Sequence, residues 1–256
     1  MKFIISKGVK IKQVVQEYNV LFWNFVNKYD TKNTNILRKI VHSFQVADIC
    51  FFIACKMELN EEERNFCYLM GLLHDLGRFE QWKNYKTFDD VISIDHGDLS
   101  ASIIEKISTD ELLIDKDKKE LLIQSIKYHT KKYDGNDEKI IFYNSLLNNA
   151  DSFANVTTCA NGAQQVLQTK DGYTKEIYEG FINRDLMRKY SPKTKLDRCL
   201  SLTACIYYVK FDFLREEIIN KKYINVIYET LSKYLNDEDK NVYKIAINEM
   251  MKNYIK

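Results

Sequence analysis

Leu72-Leu73-His74-Asp75-Leu76-Gly77-Arg78 sets an imidazole beside a carboxylate where an apolar helical run stops. In mid-helix two adjacent side chains point about 100° apart. At a helix end the geometry opens, and both can turn towards one cavity. A neutral His nitrogen and an Asp oxygen are good ligands for divalent first-row metals. A His-Asp pair alone is more often a capping or surface pair, so the reading depends on its surroundings. The chain has four histidines, His42, His74, His96 and His129, and the pattern around each directs it to the interior or to a helix end.

Upstream, Asn60-Glu61-Glu62-Glu63 reads as the start of the helix that delivers His74 and Asp75, with Asn60 as cap and Glu63 at N3. Gly77 is placed to end it. Gly71, one turn before His74, admits either a crossing helix or a ligand. A preceding helix is expected from about Ile36 to Met57, with His42 on the face of Val46, Ile49 and Ile53. Arg38 lies one turn before His42. Residues 9–29 carry helical spacing through Val14, Val15, Tyr18, Leu21, Phe22, Phe25 and Val26.

Downstream, residues 79–94 read as a connection. Asp95-His96-Gly97-Asp98 opens a new helix with Asp95 as cap and His96 at N1. A cationic imidazole is disfavoured beside the positive end of a helix dipole, so His96 is expected to be neutral, as a metal requires. From Asp117 to Tyr133, Leu122, Ile126, His129 and Tyr133 form one stripe, flanked by Lys127, Lys131 and Lys132. A helix over about 138–154 places Ile140, Asn144, Leu147 and Asp151 on one face. A buried Asp151 needs a cation or hydrogen bonds. The pattern lapses over 155–172 and resumes over 173–190. Ser191-Pro192 reads as cap plus N1 proline, opening one central buried helix over 193–220. Two amphipathic helices follow, over 221–235 and 239–255.

One Pro and eight Gly in 256 residues favour long helices and short loops. The near balance of 38 basic against 36 acidic residues argues against a long nucleic acid as partner. The six cysteines lie mostly in apolar runs, with no C-x-x-C pair, and read as reduced core thiols. The most apolar window, Val46 to Cys55, is too short to span a bilayer and contains Asp48. Residues 1–5 are too short for a signal core and run into Lys7, Lys10 and Lys12. No membrane partner and a cytoplasmic location are therefore expected.

His42, His74, Asp75, His96, His129 and Asp151 together are imidazoles and carboxylates on five different helices. Separate burial would demand a private partner for each, whereas one metal cluster satisfies them together. Six protein ligands exceed what one catalytic Zn takes. Two divalent metals bridged by a carboxylate fit better.

His42-Ser43-x-x-Val46-Ala47, His74-Asp75-Leu76-Gly77-Arg78, the later His96 and His129, and Asp151 in Asn149-Ala150-Asp151 resemble the HD domain superfamily of metal-dependent phosphohydrolases. The resemblance covers about residues 36–154. It implies an all-α HD-domain helical bundle, with the N-terminal helix and additional C-terminal helices (173–255) packed on it as a single domain over 1–256. It implies that His42, His74, Asp75 and Asp151 hold one metal, and that His96 and His129 hold a second with Asp75 bridging. The ions would be divalent, from among Mn, Fe, Co, Ni, Zn and Mg. Asp75 and Arg78 would serve catalysis, with Arg78 as the phosphate contact; Arg38 and Lys131 are further anion contacts by helical position. The Gly-Tyr-Pro segment of the cyclic dinucleotide phosphodiesterases is absent, and Arg78 stands where many HD proteins have Lys. No signature of the dNTP triphosphohydrolases or alarmone hydrolases is present. The expected activity is hydrolysis of a small phosphate ester or nucleotide by water activated between two metals. The alternatives are a di-iron oxygenase of the myo-inositol oxygenase kind, or a nucleotide sensor with little turnover.

Overall fold

The computed structural model describes residues 13–162, 169–185 and 190–254. The expected start of the first helix at residue 9, the stretches 163–168 and 186–189, and residue 255 lie outside these. The fold class is all-α. Two compact units form. One runs up to Lys86 and from His96 to Asn144; the other comprises Thr87–Asp95 and the chain from Ser145 onward.

The first unit is built from α1 (Gln13–Val26), α2 (Thr34–Lys56), α3 (Glu61–Leu73), α4 (Leu76–Tyr85), α5 (His96–Glu105), α6 (Thr109–Leu112) and α7 (Lys116–Lys127). Asn33 caps α2 by accepting from the backbone N–H groups of Asn35 and Ile36. Asn60 and Glu63 form a reciprocal capping box on α3, as their spacing predicts. Ser108 with Glu111 does the same for α6, and Asp115 caps α7. α2 packs on α3, α4 on α5, and α5 on α7. Val46, Ile53, Leu69, Met70, Leu72 and Leu73 are buried at the centre.

The connection expected over 79–94 begins instead as a helix. α4 starts directly after Asp75, with the His74-Asp75 pair at the junction of two helices. Gly77 lies inside α4 and does not end α3. The reason is tertiary. Phe79 is fully buried, with Phe22, Phe25 and Tyr29 ringed around it at centroid distances of 6.1, 6.1 and 5.6 Å. Tyr29 also donates to Glu80 Oε1 at 2.7 Å. This aromatic clasp holds a helix that has weak apolar periodicity of its own. Lys86 closes α4 in the left-handed region, with φ of 56°.

α8 (Glu138–Ala160) continues past the expected end at 154, and the boundary between the units falls within it, after Asn144. The second unit adds α9 (Lys175–Ile182), α10 (Lys195–Thr203), α11 (Asp212–Asn220), α12 (Tyr223–Leu231) and α13 (Asp237–Tyr254). The single helix expected over 193–220 is two helices. α10 passes into a 3-10 turn over Ala204–Tyr208 and then an extended link before α11. The backbone donors that the break exposes are taken up from another helix: Asn149 Oδ1 accepts from the N–H groups of Lys210 and Phe211 at 2.5 and 3.1 Å. The N-cap of α10 is Thr194, in a capping box with Asp197, so Ser191-Pro192 precedes the helix and does not open it. Buried Asp197 accepts from Thr174 N, Thr174 Oγ1, Lys193 N and Thr194 N at 2.6, 2.6, 3.0 and 3.1 Å. α9 packs on α10 and α13, and α12 on α11 and α13.

No disulfide joins the cysteines among the described residues, and burial pushes the Cys67 and Cys199 thiols up to about 12. No described helix is long and apolar enough to cross a membrane.

Candidate metal centre

Five of the expected ligands converge around the junction of α3 and α4. His74 caps the C-terminus of α3 and Asp75 precedes α4, so the chain turns between them and the two neighbouring side chains face one space. His42 comes from the buried face of α2, and His96 is the first residue of α5. His129 follows the end of α7, whose C-cap is Tyr128. All are buried. The imidazoles touch edge to face in sequence: His42 to His74 at 5.3 Å between centroids, His74 to His129 at 5.2 Å, and His129 to His96 at 4.9 Å.

Backbone carbonyls orient two of the rings. His74 Nδ1 lies 2.7 Å from the Gly71 carbonyl oxygen, and His129 Nδ1 lies 2.6 Å from that of Ile126. A carbonyl can only accept, so in each neutral ring Nδ1 carries the proton and Nε2 keeps its lone pair. This is the tautomer a metal-ligating histidine needs. His96 Nε2 faces His129 Nε2 at 3.1 Å.

Asp75 stands between the two ends of this row. Its Oδ2 is 3.7 Å from His42 Nε2 and 3.6 Å from His74 Nε2. Its Oδ1 is 3.3 Å from His96 Nε2. His42, His74 and Asp75 form one compact donor group, and Asp75, His96 and His129 form another. Buried imidazole nitrogens and carboxylate oxygens match the preference of divalent first-row ions. The residues present therefore fit the metal that their pattern implies.

Two cations share this carboxylate. Lys39 Nζ donates to Asp75 Oδ2 at 2.8 Å, and Arg78 Nε lies 3.7 Å from Oδ1. Burial by itself would raise the Asp75 pKa. The Lys39 ammonium, followed by the neighbouring His74 and His96 rings and the Arg78 guanidinium, outweighs it and holds the carboxyl well below its usual range. Lys39 is absent from the sequence reading. The signal available was its place three residues before His42, on the same helix face.

The other expected residues are placed as follows. Arg78 is buried, 8% exposed, and its Nη1 donates to buried Gln81 Oε1 at 2.7 Å. Arg38 is half-buried on α2. Lys131 pairs with Asp98 Oδ2 at 2.5 Å and lies over the Tyr128 ring. Asp151 is buried on α8, in the second unit, where its Oδ1 accepts from Asn155 Nδ2 at 2.9 Å. Gly77 was missed as a packing residue. A Cβ there would stand 2.5 Å from the His96 carbonyl oxygen, so its absence lets α5 bring His96 close, and Gly77 N–H donates to Ser100 Oγ at 2.8 Å.

No curated protein and no solved structure matches the chain. The family model of the HD domain matches residues 40–156, a match that supports HD-domain superfamily membership for that stretch of the chain; HD domains are mostly metal-dependent hydrolases.

Proposed function

We propose that this chain is a metal-dependent phosphohydrolase that holds two divalent ions and acts on a small phosphate ester or nucleotide. The observation that carries the reading is the division of labour between the oxygens of Asp75. Oδ2 faces His42 and His74 and Oδ1 faces His96, with His129 joining Asp75 and His96 in the second donor group. One carboxylate is thus shared by two donor groups, as a bridging ligand requires.

Bound there, divalent ions act as Lewis acids and lower the pKa of water. The protein's own contribution is orientation and charge. The Gly71 and Ile126 carbonyls keep His74 and His129 in the donor tautomer. Burial keeps bulk water from Asp75, so its charge is not screened. Arg78 adds a fixed positive charge beside Asp75, held by Gln81, and stabilises the negative charge of a phosphoryl group from within the site. Arg38 and Lys131 are outlying cations that favour an anionic substrate. The near-neutral chain favours a small anion over a polyanion.

The test is turnover of a phosphoester panel with Mn²⁺ or Co²⁺ under strict anaerobiosis. Release of phosphate is the expected result. Activity confined to iron, with O₂ consumed in step with substrate, would overturn the reading in favour of a di-iron oxygenase.

A further inference from the structure

Lys39 and Arg78 both approach Asp75, but only one of them is built to stay. Arg78 is buried, and its planar guanidinium is fixed by Gln81. Lys39 retains 19% exposure of its side chain, and it carries its charge on a flexible four-carbon stem. Its Nζ lies on Oδ2, the oxygen that also faces His42 and His74. A divalent ion taken by His42, His74 and Asp75 needs the charge of that oxygen, and an ammonium on the same atom repels it. The ammonium and the ion compete for one carboxylate oxygen. The Lys39 side chain is also the more exposed of the two, at 19% against 10% for Arg78.

Resting on the two-metal reading, we propose that Lys39 is the exchangeable cation of this centre. It holds the Asp75 carboxylate while no metal is bound, yields Oδ2 to the incoming ion, and then presents its ammonium to the phosphate of the substrate. Metal therefore binds before phosphate. Removing Lys39 has opposite effects on the two ligands: metal binds more tightly because a competitor is gone, and phosphate binds more weakly because a donor is gone. A lysine that merely braces the carboxylate would weaken metal binding when removed. A lysine with no part in the site would change neither.

The experiment compares wild type with Lys39→Gln and Lys39→Met, the second an apolar side chain of similar length, and with Lys39→Arg, which keeps the charge. Mn²⁺ affinity is read by competition with a chromophoric chelator. Inorganic phosphate affinity is read by titration calorimetry on the Mn²⁺-loaded protein. The neutral variants should bind Mn²⁺ about tenfold more tightly and phosphate about tenfold more weakly, the scale of one charge-assisted hydrogen bond. Lys39→Arg should keep phosphate affinity within a few-fold of wild type. Unchanged or weaker Mn²⁺ binding in the neutral variants overturns the proposal, as does unchanged phosphate binding. These outcomes leave the two-metal reading intact as long as wild type binds Mn²⁺; a wild type that binds none removes that reading and this proposal together.

Discussion

Gly71 on α3 and Ala47 on α2 meet backbone to backbone: a Cβ on residue 71 would stand 2.7 Å from the Ala47 Cα and 2.8 Å from the Val46 carbonyl oxygen. The missing side chain serves the crossing of two helices, which decides between the two uses its position in the sequence admits. The crossing matters for the site. His42 lies five residues before Ala47, and His74 three residues after Gly71, so the depth of this contact sets how closely the two imidazoles approach. The Gly71 carbonyl also fixes the His74 ring.

Gly71→Ala should therefore damage both stability and metal binding. Overpacking a tight crossing costs about 1–3 kcal/mol, and the better helix propensity of Ala returns about 1 kcal/mol. A net loss of up to about 2 kcal/mol in urea denaturation is expected, with reduced metal retention. A variant as stable as wild type, with full metal content, would show that the helices separate without disturbing the site.

His129→Ala should separate the two donor groups. It leaves His42, His74 and Asp75 intact and removes one end of the other group. The expected metal content falls from about two ions per chain to about one, with activity lost. Elemental analysis after anaerobic loading checks this. Loss of all metal, or of none, would speak against two groups sharing Asp75.

Asp48 sits half-buried on α2, and burial raises its pKa from 3.8 to about 6. The folded state thus holds the proton more tightly than the unfolded chain. Stability from this group is fully present below the unfolded value near 3.8 and is lost as pH rises through about 6. Asp48→Asn should remove that loss. After discounting for partial solvent screening, the gain at pH 7.5 is about 1 kcal/mol. Thermal denaturation of both proteins between pH 4.5 and 7.5 checks it, the two curves converging towards the acid end. A constant offset across the range would reject ionisation as the cause.

Asp197→Ala should destabilise the second unit. Its carboxylate accepts four donors from residues 174, 193 and 194, and the variant leaves them without their acceptor. A loss of about 2–4 kcal/mol is expected, read as a lower urea midpoint. A change below about 0.5 kcal/mol would mean that water replaces the carboxylate at little cost.

The sequence by itself determined the helical class, the caps and the identity of the residues that meet. Asn60 and Glu63 form a capping box because four consecutive residues contain everything it needs. His42 is buried because its face repeats every three to four residues, and His96 is the first residue of α5, at the N1 position expected for it. These are local properties. Tertiary structure decided what depended on distant partners. α4 exists because Phe22, Phe25 and Tyr29 enclose Phe79, from fifty or more positions away in the chain. The stretch 193–220 breaks where Asn149 supplies an acceptor; an apolar run with no Gly or Pro at the break gives no local sign of it. Lys39 goes unread in the sequence, and its partner Asp75, 36 positions away, is known only once the chain is folded. Local pattern specifies which face of a helix turns inward, since that depends on spacing alone. Which charge meets which carboxylate depends on packing between helices, and no spacing within one helix encodes it.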